Sequence, residues 1–186
     1  MADANRKFVF LLGSGRRGGN TEILAEEAAA QLPSDVEQEW IRLLDHNLPP
    51  FEDKSEGEPP ALPEGTERKL LDATLSATDL VVASPLYWYG VTSHTQAYLE
   101  YWDKWFLVPG LEFTERIKGR NLWGVTAMGV KDHTHAEPLR EKLRLTADFT
   151  EMNWKGLLLG TAGASGKIRE RVEPMARAKE FFAETS

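Results

Sequence analysis

Five stretches of the chain are apolar enough, and short enough, to be strands, and amphipathic segments separate them. Phe8 to Leu12 is a continuous apolar run too short for a typical helix, which predicts a strand buried on both faces. Val36 to Leu43 is mixed in polarity and predicts an edge strand, whereas Leu80 to Ala83 is wholly apolar and predicts a central one. Asn121 to Ala127 and Trp154 to Leu159 complete the five. Between them, Leu24, Ala28 and Leu32 recur every four residues before Pro33 stops a first helix, and Leu71, Leu75 and Thr78 mark a second. Tyr98, Trp102, Trp105 and Phe106 mark a third. Leu139, Leu143 and Ala147 supply the buried stripe of a fourth, which tolerates Pro138 in its first turn. Pro174 should break any helix running from Lys167, so the last helix is placed after Glu173, with Met175, Ala178, Phe181 and Phe182 facing inward.

Strand and helix alternating five times predict an α/β fold: an open five-stranded parallel sheet with helices on both faces, joined by right-handed crossovers. Residues 45 to 66 break the rhythm with five of the ten prolines and several carboxylates, which predicts a surface excursion after the second strand rather than a domain linker. At 186 residues the chain is near the size of one domain, so residues 1–186 are expected to form a single unit.

Composition narrows the chemistry. The absence of cysteine excludes a disulfide framework, a thiol nucleophile and any thiolate-held zinc or iron–sulfur cluster. No run of eighteen or so apolar residues could span a bilayer, and the polar start from Met1 to Lys7 does not have the pattern of a secretory signal, so the expected compartment is the cytoplasm. With 22 basic against 29 acidic residues the net charge of −7 repels nucleic acid and anionic lipid. Any anionic ligand must therefore be held by a local feature.

That feature follows the first strand. In open parallel sheets ligands sit beyond the carboxyl ends of the strands, where the winding direction reverses. The loop there reads Gly13-Ser14-Gly15-Arg16-Arg17-Gly18-Gly19-Asn20-Thr21. Its glycines let the backbone curl around an anion, the next helix start offers unpaired N–H groups, and Ser14, Asn20 and Thr21 add donors. Arg16 or Arg17 can close over the charge. Gly13, Gly15 and Gly18 also satisfy the dinucleotide pattern G-x-G-x-x-G, but Gly18-Gly19 would then lie inside the first turns of the helix, and the acidic residue expected at the end of the second strand finds only the late Asp45. A longer loop that holds a phosphate is the better reading. Gly163 to Ile168 has neither the glycine spacing nor the hydroxyl residue of a P-loop.

After the third strand comes Ser84-Pro85-Leu86-Tyr87-Trp88-Tyr89-Gly90-Val91, an aromatic cluster at the same end of the sheet. A proline-fixed backbone with exposed main-chain groups and flat side chains suits a planar heterocycle. His133 and His135 alternate in a later loop, but no third metal ligand stands at a recognisable spacing, so solvated-loop or helix-cap roles are preferred.

With these residues in view, the sequence resembles the flavodoxin-like NAD(P)H-dependent FMN reductase and quinone reductase superfamily over most of its length. The first loop is similar to that family's Gly-Ser-x-Arg-x-x-Gly-Asn-Thr phosphate site through Gly13, Ser14, Arg16, Gly19, Asn20 and Thr21. The second resembles its Ser-Pro-x-Tyr-Trp-Tyr segment through Ser84, Pro85, Tyr87, Trp88 and Tyr89, and Asp45 to Phe51, ending Leu48-Pro49-Pro50-Phe51, resembles the proline-rich stretch after its second strand. The resemblance implies a flavodoxin-like fold with FMN held by Ser14, Arg16, Gly19, Asn20, Thr21, Pro85, Leu86, Tyr87 and Trp88. Met128 and Gly129, after the fourth strand, stand where the family often touches the flavin. It implies NADPH or NADH as reductant, a quinone, flavin or similar small oxidant as acceptor, and no resident metal. The alternative is a flavodoxin-type electron carrier that does not oxidise NAD(P)H directly; Arg16 and Arg17 favour the reductase branch. The third helix carries more rings than one core stripe should bury, and the resembling family builds flavin sites at dimer interfaces, so a homodimer is expected.

Overall fold

The computed structural model describes residues 6–52 and 57–183. Five strands, β1 (Lys7–Leu12), β2 (Glu37–Arg42), β3 (Asp79–Ala83), β4 (Asn121–Met128) and β5 (Asn153–Thr161), form one parallel sheet in the order β2-β1-β3-β4-β5. That is the flavodoxin-like order, in which the chain winds one way from β1 to β2 and then reverses to place β3 on the other side of β1. Helices α1 (Asn20–Ala29) and α6 (Val172–Phe181) cover one face; α2 (Gly65–Ser76), α3 (Ser93–Phe106) and α5 (Glu137–Phe149) cover the other, with the short α4 (Phe113–Ile117) beside them.

The alternation of side chains along a strand builds both layers at once. Phe8, Phe10 and Leu12 point to the face of α1 and α6, where they meet Leu24, Ala28, Ala178 and Phe182; Val9 and Leu11 point to the opposite face, among Leu71, Tyr98 and Trp102. Each of these large apolar side chains contributes about 1.5–3 kcal/mol by leaving water. β2 is the exposed edge, and Trp40 covers it by stacking on Phe10 with ring centroids 4.0 Å apart.

Several sequence expectations change. Helix α6 starts at Val172 and takes Pro174 into its first turn, where the missing N–H would have had no partner anyway. Thr78 lies beyond α2, its hydroxyl accepting from the Lys7 N–H at 2.9 Å. α4 was not legible in the pattern. Its Phe113 makes edge-to-face contacts with Trp102, Trp105 and Phe106 at 5.3–5.5 Å, so Tyr98, Tyr101, Trp102 and Trp105 are all buried and the rings of α3 do not form the predicted open surface. The proline-rich segment is less of an excursion than expected. Pro49 C=O accepts from the Tyr101 hydroxyl at 3.0 Å, Phe51 sits edge-on to Tyr101, and Leu48 and Phe51 pack on the core; residues 53–56 lie outside the described ones.

At the amino end of the sheet, Asp79 is fully buried and accepts from Arg6 through both carboxylate oxygens at 2.8 Å, from Trp123 Nε1 at 2.9 Å, from Asn121 Nδ2 at 2.8 Å and from the Thr78 hydroxyl at 2.8 Å. Burial alone would raise its pKa; the Arg6 guanidinium and the other donors overcome that and hold it below the ordinary carboxylate value. Among the described residues no helix is long and apolar enough to cross a membrane.

Candidate functional site

The carboxyl ends of β1 and β3 lie side by side at the point where the winding reverses, and their loops are knotted together by hydroxyl groups. Thr92, the N-cap of α3, accepts from the Thr95 N–H through its hydroxyl, which donates to the Gly13 carbonyl at 2.7 Å, and its N–H donates to Ser84 Oγ at 3.0 Å. Gly13 N–H bonds the Ala83 carbonyl at 2.9 Å. The approach is so close that a Cβ on Gly13 would stand 2.0 Å from Thr95 Oγ1, and only glycine fits. Thr92 and Thr95 were not singled out in the sequence, although a threonine just ahead of a helical run is an N-cap signal.

From Gly13 the chain curls into a nest. Ser14 Oγ accepts from the Arg16 N–H at 3.1 Å and donates to the Arg16 carbonyl at 3.2 Å. Gly18 has φ +63°, a left-handed turn that favours glycine, and Gly19 caps α1 from extended backbone. The helix therefore begins after the glycines, as the longer-loop reading requires. The N–H groups of Gly15, Arg17, Gly19, Asn20 and Thr21 meet no acceptor among the described residues. Unpaired donors in a loop that leads into a helix start make a ready anion site. The two arginines differ: Arg17 is held by Asp45 at 2.9 Å, while exposed Arg16 makes no ion pair among the described residues.

Two predicted ligands turn out to have structural duties in their side chains. Asn20 Nδ2 donates to the carbonyls of Ala162 and Ala164 at 3.4 and 2.9 Å and Oδ1 accepts from the Ile168 N–H at 3.3 Å, which ties the loop after β5 to α1. Thr21 Oγ1 is buried and accepts from the Ala127 N–H at 3.2 Å. The main-chain N–H groups of both residues stay without acceptors among the described residues.

The second loop forms the facing wall. Leu86 N–H bonds the Ala127 carbonyl at 3.2 Å and its side chain packs on the core beside half-buried Pro85. Tyr87 and Gly90 then exchange two hydrogen bonds of 3.0 Å across a tight turn whose central residues, Trp88 and Tyr89, have φ of +48° and +64°. Such a turn usually takes Asn-Gly, and two bulky residues in the left-handed region carry roughly 1–2 kcal/mol of strain each. The turn carries three aromatic rings out of the core: Tyr87 and Tyr89 are about half exposed and Trp88 is 95% exposed. The loop after β4 closes on the same turn, with His135 edge-on to Tyr89 at 5.5 Å and His133 Nε2 3.2 Å from Thr161 Oγ1. Gly129 is exposed there with open space around it. Met128, by contrast, is buried at the end of β4, and its carbonyl accepts from the Ala162 N–H at 3.0 Å.

Sequence reasoning also missed Arg42 and Glu22, which brace the nest as a largely buried ion pair. Glu22 also accepts from the Gly18 N–H at 2.8 Å. Glutamate in a first turn and arginine ending an edge strand are common on surfaces, and no local pattern joins them.

The profile of the NADPH-dependent FMN reductase family matches residues 6–154, which take in the nest, the strained aromatic turn and all of β4. The chain belongs to that family. It is an FMN-dependent NAD(P)H oxidoreductase of flavodoxin-like fold. It is similar to YwqN of Bacillus subtilis (strain 168), whose designation is that of an NAD(P)H-dependent FMN-containing oxidoreductase, at 24% identity over 178 residues, 95% of this chain and 96% of the relative. The Trp repressor binding protein from Bacillus subtilis shares the fold with a TM-score of 0.74 at 20% identity, covering 94% of this chain and 96% of that one. An FMN-dependent NADH-azoreductase from Bacillus anthracis, solved with FMN, gives 0.61 at 14% identity, covering 97% of each chain. The residues of this chain fit the cofactor: the loop after β1 carries five N–H groups without acceptors among the described residues, and the loop after the neighbouring β3 carries an exposed aromatic turn.

Proposed function

We propose that the FMN phosphate is held by the loop from Ser14 to Thr21 and that the ring lies against Pro85, Leu86, Tyr87 and Trp88, with Gly129 at the rim. The observation that carries this reading is the nest of N–H groups at Gly15, Arg17, Gly19, Asn20 and Thr21, which are without acceptors among the described residues. A charge-assisted hydrogen bond is worth about 1.5–3 kcal/mol, so several together overcome the repulsion of a chain with net charge −7. Bound FMN supplies the redox chemistry, accepting hydride from NADPH or NADH and passing electrons to a quinone, flavin or similar small oxidant. The chain's work is to hold and orient. Ser14 and the nest fix the phosphate, Arg16 closes over it, and the main-chain N–H groups of Trp88 and Tyr89, also without acceptors among the described residues, meet the polar edge of the ring. The whole chain, residues 1–186, acts as one FMN-binding unit.

Anaerobic titration tests the activity. Protein loaded with FMN is expected to lose its flavin absorption band on addition of NADPH or NADH and to regain it with a quinone. A yellow protein that resists both nicotinamides would be a carrier and not a reductase.

The working form in this reading is a cytoplasmic homodimer. Support comes from the groove between α3 and α5, where Leu99 and Phe106 face Leu145, 51% exposed, and Phe149, 75% exposed. Apolar surface of that kind marks an interaction site. Sedimentation velocity at micromolar concentration is expected to show a dimer that Phe149→Asp dissociates; a wild-type monomer would remove this part of the reading.

A further inference from the structure

The nest has an electrostatic weakness built into it. Glu22, in the first turn of α1, places a carboxylate at the positive end of the helix dipole, and that carboxylate occupies the Gly18 N–H at 2.8 Å. Left alone it would compete with any anion bound in the same loop. Arg42, the last residue of β2, answers it. Its Nη2 pairs with the other Glu22 oxygen, and the two side chains are only 10% and 11% exposed, so the pair sits behind the loop and largely out of solvent.

Arg42 also grips the loop itself. Its Nη1 donates to the carbonyls of Ser14 and Arg16, at 3.4 and 3.3 Å. A peptide unit is planar and trans, so its C=O and N–H point in opposite directions. The carbonyl of Ser14 shares its peptide with the Gly15 N–H, and the carbonyl of Arg16 shares one with the Arg17 N–H. Drawing both carbonyls toward the edge of the sheet therefore turns both N–H groups away from Arg42 and into the nest. These are two of the five donors without acceptors among the described residues.

We propose that Arg42 is a positioning residue for phosphate recognition: it cancels the Glu22 charge and, through the Ser14 and Arg16 carbonyls, aims the Gly15 and Arg17 N–H groups at the anion. The proposal rests on the reading that the FMN phosphate occupies this loop, and it deepens that reading by adding a residue on β2 that need not touch the cofactor. Its signature is a preference for phosphate as such. Removing Arg42 leaves a buried, unpaired carboxylate close to the bound anion, a like-charge contact that water screens poorly.

Riboflavin, which has the same ring and no phosphate, separates positioning from mere folding. Apoprotein is titrated with FMN and with riboflavin, and flavin fluorescence gives both dissociation constants. For Arg42→Met, FMN affinity is expected to fall about 30-fold and riboflavin affinity less than about 3-fold. Adding Glu22→Gln to Arg42→Met removes the stranded charge and is expected to recover about 10-fold of the FMN affinity. If Arg42→Met alone does not fold, the Glu22→Gln/Arg42→Met protein, which buries no unpaired charge, is compared with Glu22→Gln; loss of FMN affinity without loss of riboflavin affinity on removing Arg42 supports the proposal. Equal losses for the two flavins in either comparison overturn it, as does a double variant no better than a folded Arg42→Met. Wild-type protein that binds riboflavin as tightly as FMN takes the phosphate out of the loop, and overturns the proposal together with the reading beneath it.

Discussion

Gly13→Ala is expected to lower FMN affinity by about 100-fold and the melting temperature of the apoprotein by about 9 °C. The new Cβ would lie 2.0 Å from Thr95 Oγ1 and 3.0 Å from Thr92 Oγ1, both on buried side chains with nowhere to go. Overpacking of this kind costs about 1–3 kcal/mol, and the shift endangers two hydrogen bonds of Gly13, to Ala83 and Thr92, worth about 1 kcal/mol each. A total near 3 kcal/mol corresponds to roughly 6–12 °C in a domain of this size. Binding suffers more because the displaced residue opens the nest. Losing two charge-assisted N–H contacts accounts for about 100-fold. Gly15→Ala is the control: its Cβ would meet only Leu44, at 4.0 Å, so stability should change by less than about 0.5 kcal/mol. Thermal melts and FMN titrations of the two variants check this, and equal behaviour would show that the meeting of β1 with α3 does not shape the loop.

Asp79→Asn is expected to cost about 3 kcal/mol of stability at neutral pH, about 10 °C in melting temperature, and to leave FMN affinity within about 2-fold of wild type. Asp79 begins β3, at the end of the sheet away from the nest, and it neutralises Arg6 while accepting from Trp123, Asn121 and Thr78. The amide keeps the shape but loses the negative charge that the Arg6 guanidinium and the three other donors point at. The pH dependence carries a definite sign. Because the folded-state pKa of Asp79 is lowered, its contribution is full above the ordinary carboxylate pKa near 3.8 and fades as pH falls through the folded value. The gap in melting temperature between wild type and Asp79→Asn should therefore be constant from pH 5 to 7 and shrink below about pH 4. A gap that stays constant through acid would mean that Asp79 acts by shape and not by charge.

The sheet was legible because β1 and β3 are apolar runs too short for a typical helix, and the edge position of β2 because its polarity is mixed. The nest was legible for a related reason: glycines, hydroxyls and a helix start fall together at the end of β1. What escaped the sequence depends on contacts between distant segments. Phe113, in a helix of five residues, supplies the surface that buries the aromatic face of α3, and nothing in the α3 pattern announces it. The side chains of Asn20 and Thr21 look like ligands in the motif, yet the loop after β5 and the Ala127 N–H claim them. Met128 matched by position alone, and the alternation along β4 turns it into the core. Arg42 and Glu22 lie twenty residues apart on different elements, so their pairing exists only in the fold. Thr92 is the exception, since its cap position could have been read directly from the residues ahead of α3.

A crystal structure of the protein with FMN bears most directly on the account. The phosphate oxygens should lie within hydrogen-bond distance of the N–H groups of Gly15, Arg17, Gly19, Asn20 and Thr21, with the ring against Tyr87 and Trp88. FMN bound with its phosphate outside the loop from Ser14 to Thr21, or with its ring away from the strained turn, would contradict it.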